Sequence, residues 1–143
     1  MMAGLPRWFL AVSWIAVAGC NQVLGLDETR LRDASVDASA AVCQETAEPK
    51  TDPTGRSWTT TWYCMNTYQA RIYADANRNK ELGYLETVRS WFLCYRRGAA
   101  HEGGNDVWYY TQGDHPAPGP WGYVAAVDVQ AASHPYPGMA PCD

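Results

Sequence analysis

The chain has 143 residues, 18% charged and 47% hydrophobic, which suits one globular core plus appendages and is short for two domains. A formal net charge of -4 and a single basic dipeptide, Arg96-Arg97, argue against a nucleic-acid partner, because phosphate binding relies on clustered Lys and Arg that release counterions. The aromatic residues are mostly Trp (7) and Tyr (9) rather than Phe (2), side chains that bury large areas while keeping a polar handle and so suit a small barrel that stays half wet.

At the N-terminus, Arg7 precedes an apolar run from Trp8 to Gly19 that ends in Val17-Ala18-Gly19-Cys20. The run is too short to span a bilayer as a helix and reads as a signal-peptide core over residues 1–19. The small residues before Cys20 resemble the lipobox of bacterial lipoproteins. That resemblance implies diacylation of Cys20, cleavage before it, and acylation of the new N-terminus. Each buried methylene contributes about 0.8 kcal/mol, so several chains hold the protein at a membrane. Asn21, rather than Asp, is compatible with release to an outer membrane. An ordinary secretory signal that happens to contain a cysteine is the other reading, and either one exports the chain to the envelope, periplasmic or surface-facing.

Residues 20–57 are rich in Ala, Ser, Thr, Asp, Glu and Pro, as in "RDASVDASAAV" and "EPKTDPTGRS", and read as a disordered tether. Cys43 suggests that its last part is stapled onto the domain that follows. From Trp58 onward, short β-branched and aromatic runs alternate with Gly, Asn and Pro, the pattern of an all-β domain over residues 58–143. Strands are expected at "TTWYC", "ARIYA", "LGYLET", "SWFLCYR", "VWYYTQ" and "GYVAAVDV", with no helix longer than a turn or two. In "SWFLCYR", Trp91, Leu93 and Tyr95 share one face and Phe92 and Cys94 the other, which predicts a central strand. With Cys20 set aside, Cys43, Cys64, Cys94 and Cys142 are an even set in an oxidising compartment, implying two disulfides with three possible connectivities. No C-x-x-C spacing supports a zinc site, and no cofactor is expected.

In order, "ARIYADANRNKELGYLET", "SWFLCYRRG", "GGNDVWYYTQG" and "WGYVAAVDV" resemble a bacterial SH3-like (SH3b) domain across residues 66–131. The Gly83-Tyr84-Leu85 strand, the Gly103-Gly104-Asn105-Asp106 loop, the Trp108-headed strand and the closing Gly122-Tyr123-Val124 strand with Val129 carry the likeness. The resemblance implies a small SH3-like β-barrel of five to six strands. It also implies pairing of a mid-barrel strand with the C-terminal tail, hence Cys94–Cys142 and Cys43–Cys64. Two features depart from the family: "R-I-Y-A-D-A" stands where an "N-x-R-x-G-P" signature is typical, and "TQGDHPAPGPWGYV" is a longer, proline-rich connection.

No catalytic group assembles in the sequence. His101, His115 and His134 lie in loops without metal-ligand spacing, and His101-Glu102 and Asp114-His115 read as solvated polar tips. Ser57, Ser90 and Ser133 lack a G-x-S-x-G context, so the chain is not expected to be an enzyme. Strand alternation places Trp108 in the core with Val124, Leu85 and Leu93, leaving Tyr73, Tyr109, Trp121 and Tyr123 at or near the surface as candidate ligand-binding residues. The bland alternative is that the Cys142-tethered tail covers those rings. The family likeness implies an envelope-binding module, with peptidoglycan peptide or glycan as ligand; a structural or protein-interaction lipoprotein contacting an envelope protein is the alternative.

Overall fold

The computed structural model describes residues 42–142; the expected signal peptide, Cys20 and the first part of the expected tether lie outside the described residues. Ten strands run in the order β1 (Cys43–Thr46), β2 (Lys50–Thr51), β3 (Ser57–Trp58), β4 (Thr61–Met65), β5 (Arg71–Tyr73), β6 (Glu81–Tyr84), β7 (Arg89–Phe92), β8 (Cys94–Arg97), β9 (Val107–Gln112) and β10 (Trp121–Ala125). A single 3-10 turn, Ala126–Asp128, follows β10. The described chain is therefore all-β, and every strand pairing is antiparallel.

Three sheets form: β1-β4-β7, β6-β5-β10-β9-β8 and the small hairpin β2-β3. None of them closes into the expected barrel, because the two outer edges of the five-stranded sheet are covered by other segments. On β8, Tyr95 N–H donates to the Ala140 carbonyl and Cys142 N–H donates to the Tyr95 carbonyl; on β6, Tyr84 N–H donates to the His115 carbonyl. Edges capped by a tail and a loop have no need to meet each other.

The folded part begins earlier than Trp58. β1, β2 and β3 all fall inside residues 20–57 or at their border, and each is tied down locally. Cys43 faces Cys64 across the β1/β4 pair and is joined to it by a disulfide. The β2-β3 turn is "DPTG": Asp52 and Pro53 open it, Gly55 N–H donates back to the Asp52 carbonyl at 3.0 Å, and Gly55 adopts φ +88°. Asp, Pro and Gly at these positions are what such a turn requires.

"SWFLCYR" is not one central strand. The chain passes at Leu93 from β7, an edge of the three-stranded sheet, to β8, an edge of the five-stranded sheet. The face alternation breaks there too: Trp91, Leu93 and Cys94 belong to one apolar cluster, Phe92 and Tyr95 to the other. The run is apolar on both faces because it bridges two layers, with Leu93 N–H donating to the Tyr110 carbonyl at the crossing.

The five-stranded sheet is covered on both sides. One face, with Ile72, Val107, Tyr109 and Val124, packs against Trp62, Cys64 and Phe92 of the three-stranded sheet and against Met139 of the tail. The opposite face gathers Tyr73, Leu93, Cys94, Trp108, Tyr123 and Ala125, with Trp58, Trp91, Tyr110 and Trp121 partly buried around them. Trp108 is core as expected, but its companions differ: Leu93 shares its cluster, whereas Val124 and Leu85 lie across the sheet. Burial of each large apolar side chain here contributes about 1.5–3 kcal/mol, so both clusters matter to stability. The Cys94–Cys142 disulfide fixes the tail to the start of β8.

Candidate functional site

Alternation along β9 and β10 decides which aromatics can meet a ligand. Tyr109 points into the layer between the sheets, where it is 0% exposed, and its hydroxyl is satisfied there. Tyr136 N–H donates to the Tyr109 oxygen at 3.0 Å, and the Tyr109 hydroxyl bonds His134 Nδ1 at 2.8 Å. The expectation that Tyr109 lies at the surface is thereby corrected: the tail that carries His134 and Tyr136 covers it. Burial pushes the Tyr109 phenol well above its ordinary range, and the Tyr136 N–H only partly offsets this. Tyr73 is buried as well, edge-on to Trp108 at 5.8 Å.

Trp121 and Tyr123 point the other way, and with Tyr110 of β9 and Trp58 of β3 they line an open cleft of about 340 Å³. The rings touch in series, with centroids 5.7 Å apart for Trp58–Tyr110, 5.8 Å for Tyr110–Trp121 and 5.0 Å for Tyr110–Tyr123. Trp91 supports Trp121 from behind at 5.5 Å, edge-on. Charged side chains line the same cleft: Asp52 and Arg56 from the β2-β3 hairpin, Asp75 from the loop after β5, and Arg96 from β8. The Arg56 guanidinium lies over Trp58 and the Arg96 guanidinium over Tyr123, each 4.9 Å from the ring centroid. Such stacking holds a cation against an electron-rich face and restrains both partners.

Asp52 organises one wall. Its Oδ1 accepts Thr54 N–H, Thr54 O–H and Arg56 N–H, and its Oδ2 accepts the Tyr110 hydroxyl at 3.1 Å. Burial would push the Asp52 carboxyl up, but these hydrogen bonds win and hold it below the usual carboxylate range. Burial first, then the Asp52 charge and hydrogen bond, raise the Tyr110 phenol far above its ordinary value. Tyr123 is raised by burial and drawn back by Arg96. At neutral pH the wall is thus an ionised Asp52 held by a protonated Tyr110.

Trp58, Tyr110, Arg56, Arg96 and Asp52 were not among the candidate ligand-binding residues read from the sequence. Trp58 and the "DPTG" turn carried a usable signal; the position of Arg96 on the cleft follows only from the crossing at Leu93. The proline loop does not border the cleft. It folds over β6, where His115 stacks on Tyr84 at 5.1 Å and reaches Glu86 rather than Asp114, at 3.0 Å. His101 Nδ1 accepts Gly103 N–H, and its Nε2 meets the Val107 carbonyl, so both ring nitrogens serve the loop. Among the described residues, no three His, Cys, Asp or Glu side chains gather in a way that could hold a metal ion. The chain matches no protein-family model, and neither curated proteins nor solved structures give a significant match.

Proposed function

We propose that the protein is an exported, lipid-anchored binding module without catalytic activity, whose aromatic cleft recognises a cell-envelope ligand, with peptidoglycan peptide or glycan first in line. The observation that carries this reading is the open cleft itself: four aromatic side chains, Trp58, Tyr110, Trp121 and Tyr123, converge on one opening together with two stacked guanidinium groups. Trp58, Tyr110 and Trp121 are half-buried and held by neighbours, with Tyr123 buried beneath Arg96, and rings so held offer stacking area at low ordering cost, which is how concave sites bind sugar rings and peptides. The lipobox-like Val17-Ala18-Gly19-Cys20 and the two disulfides favour an oxidising compartment outside the cytoplasm, and Asn21 after the cysteine is compatible with the outer membrane. The resemblance of the ordered sequence motifs to SH3-like domains favours the same wall-facing role.

Co-sedimentation of the detergent-solubilised mature chain with purified sacculi tests it. Retention that drops in Trp121→Ala and Trp58→Ala, with the fold intact, supports wall recognition; no retention, or retention indifferent to both changes, overturns it. Tyr109→Ala is unsuited as a binding control, since removing a fully buried ring costs about 3–5 kcal/mol of stability.

A second reading, protein interaction without a wall ligand, is favoured by a different surface. Tyr68, Val88 and Val127 are 58%, 49% and 40% exposed, and the segments that carry them are joined at one corner, where Asn66 N–H donates to the Val88 carbonyl and Thr67 N–H to the Asp128 carbonyl. Crosslinking on intact cells through that corner, with recovery of one envelope protein, would support this reading.

A further inference from the structure

Trp58 lines two openings: the aromatic cleft and a second cavity of about 330 Å³ that also takes in Glu45 of β1, Trp62 of β4, and Thr59 and Thr60 between β3 and β4. The same two segments border both. Around β3, Arg56 lines the cleft and Ser57 the second cavity; along the tail, Cys142 lines the cleft, and Gly138 and Ala140 line the second cavity. Shared walls of this kind suit one ligand long enough to pass Trp58.

Both openings present acceptors as well as donors. In the cleft, Asp75 Oδ1 takes the Ala76 N–H and, at 3.2 Å, Arg96 Nη1, while 62% of the Asp75 and 42% of the Arg96 side chain stay open to solvent. Asp52 Oδ2 accepts the Tyr110 hydroxyl, and a carboxylate oxygen can accept a second bond. In the second cavity Glu45 and Thr59 are exposed and Thr60 is half-buried, adding a carboxylate and two hydroxyls. Trp121, braced edge-on by Trp91 at 5.5 Å, supplies a ring for stacking.

Two observations choose between the glycan and the peptide of a wall. Three carboxylates, Asp52, Asp75 and Glu45, line the openings against two guanidiniums, Arg56 and Arg96, so an acidic peptide finds no net attraction. An extended peptide is commonly held by a backbone ladder on a free sheet edge, and here the β8 edge is taken by the tail, through Ala140 and Cys142. A sugar needs no ladder. Its hydroxyls donate to carboxylates and accept from a guanidinium, and its apolar ring face lies on an indole.

Resting on the wall-binding reading, we infer that the two openings are subsites of one site for a linear, neutral glycan. One unit lies on Trp121 with its hydroxyls on Asp75, Asp52 Oδ2 and Arg96, and the next units pass Trp58 to reach Thr59, Thr60 and Glu45. A ligand without charge makes the affinity nearly independent of salt.

The experiment titrates the detergent-solubilised mature chain with N-acetylglucosamine oligomers, from the disaccharide to the hexasaccharide, by calorimetry. It also measures retention on native sacculi and on glycan strands freed of peptide by an amidase, with soluble peptide stems as competitor. Affinity should rise about tenfold with oligomer length, the scale of one or two net hydrogen bonds gained in the second subsite. Thr59→Arg, which sets a long side chain in the second cavity, should abolish that rise and spare disaccharide binding. Glu45→Ala should reduce the rise, and Asp75→Ala should weaken oligomers of every length. All three positions are exposed, and the indole spectrum of each variant checks its fold. Affinity that is undetectable or flat with length, or a rise unchanged in Thr59→Arg, would overturn the two-subsite glycan site. Retention on native sacculi that is lost on peptide-free strands and competed by the stems would overturn it too, and leave the wall-binding reading standing. Absence of retention on native sacculi would overturn both.

Discussion

Replacing Tyr109 by Phe removes one oxygen and nothing else, and the structure assigns that oxygen a definite cost. The Tyr109 oxygen accepts from Tyr136 N–H at 3.0 Å, and the same hydroxyl is hydrogen-bonded to His134 Nδ1 at 2.8 Å. In Tyr109→Phe both the amide and the imidazole nitrogen lose this partner inside the layer under the tail. A buried group left unsatisfied costs about 1–3 kcal/mol. Tyr136 and His134 are each only half-buried, so water recovers part of that, and about 1.5 kcal/mol remains. For a domain of this size that corresponds to a fall in melting temperature of roughly 6–12 °C. Urea unfolding followed by tryptophan fluorescence measures it directly, with Tyr110→Phe as the comparison. The Tyr110 hydroxyl donates to the ionised Asp52 carboxylate at 3.1 Å, a charge-assisted bond, so its loss should cost a similar amount, about 1.5 kcal/mol. A Tyr109→Phe variant within about 0.5 kcal/mol of the parent, the usual range for surface changes, would refute the placement of the tail over Tyr109.

Burial, aided by the charge of His101, holds the His134 imidazole below its ordinary value. The unfolded chain therefore takes up this proton first: the stability associated with His134 is fully present above about pH 6.5 and is lost as pH falls through the lowered folded value. Melting temperature against pH should show this loss, and His134→Gln should flatten it below about pH 6.5. Removing both cysteines of Cys94–Cys142, which are 48 residues apart, should cost about 4 kcal/mol by chain entropy, against about 3 kcal/mol for Cys43–Cys64 at 21 residues. Denaturant midpoints of the two double Cys→Ala variants would show the order, and the reverse order would contradict it. A Cβ at Gly122 would collide with the Tyr73 carbonyl and approach Ile72 Cγ2 at 2.8 Å. Gly122→Ala should thus loosen the β5/β10 contact at a cost of about 1–3 kcal/mol, visible as faster amide exchange on β5.

Much of the strand grammar was legible. "VWYYTQ" is β9 with the same ends, and the expected runs at "TTWYC", "ARIYA", "LGYLET" and "GYVAAVDV" overlap β4, β5, β6 and β10. The cysteine pairing implied by the SH3-like resemblance is the one observed. What eluded the sequence has physical causes. Strands of two to four residues in "CQETAEPKTDPTGRSW" are too short and too polar to produce periodicity, and only the "DPTG" turn and Cys43 announce them. A run that is apolar on both faces is compatible with a central strand or with a crossing between sheets, and Leu93 turns out to be a crossing. Tyr109 was misplaced because alternation sorts residues into two faces and cannot say that both are covered. The tail closes one face with Tyr136 and Met139, while the β2-β3 hairpin only partly closes the other, and the cleft lies in what it leaves open. Of the four candidate aromatics, Trp121 and Tyr123 line that cleft, and Tyr73 and Tyr109 serve the core.

The measurement closest to the central claim is a nitrogen-proton spectrum of residues 21–143, titrated with soluble wall fragments that retain both glycan and peptide. The five tryptophans in the described residues report from distinct places: Trp58 and Trp121 from the cleft, Trp91 from behind it, and Trp62 and Trp108 from the two buried clusters. A wall ligand in the aromatic cleft should shift the indole signals of Trp58 and Trp121 in a saturable manner and leave Trp62 unmoved. Saturable binding that leaves Trp58 and Trp121 in place, or no binding at millimolar fragment, would contradict the assignment of function to this cleft.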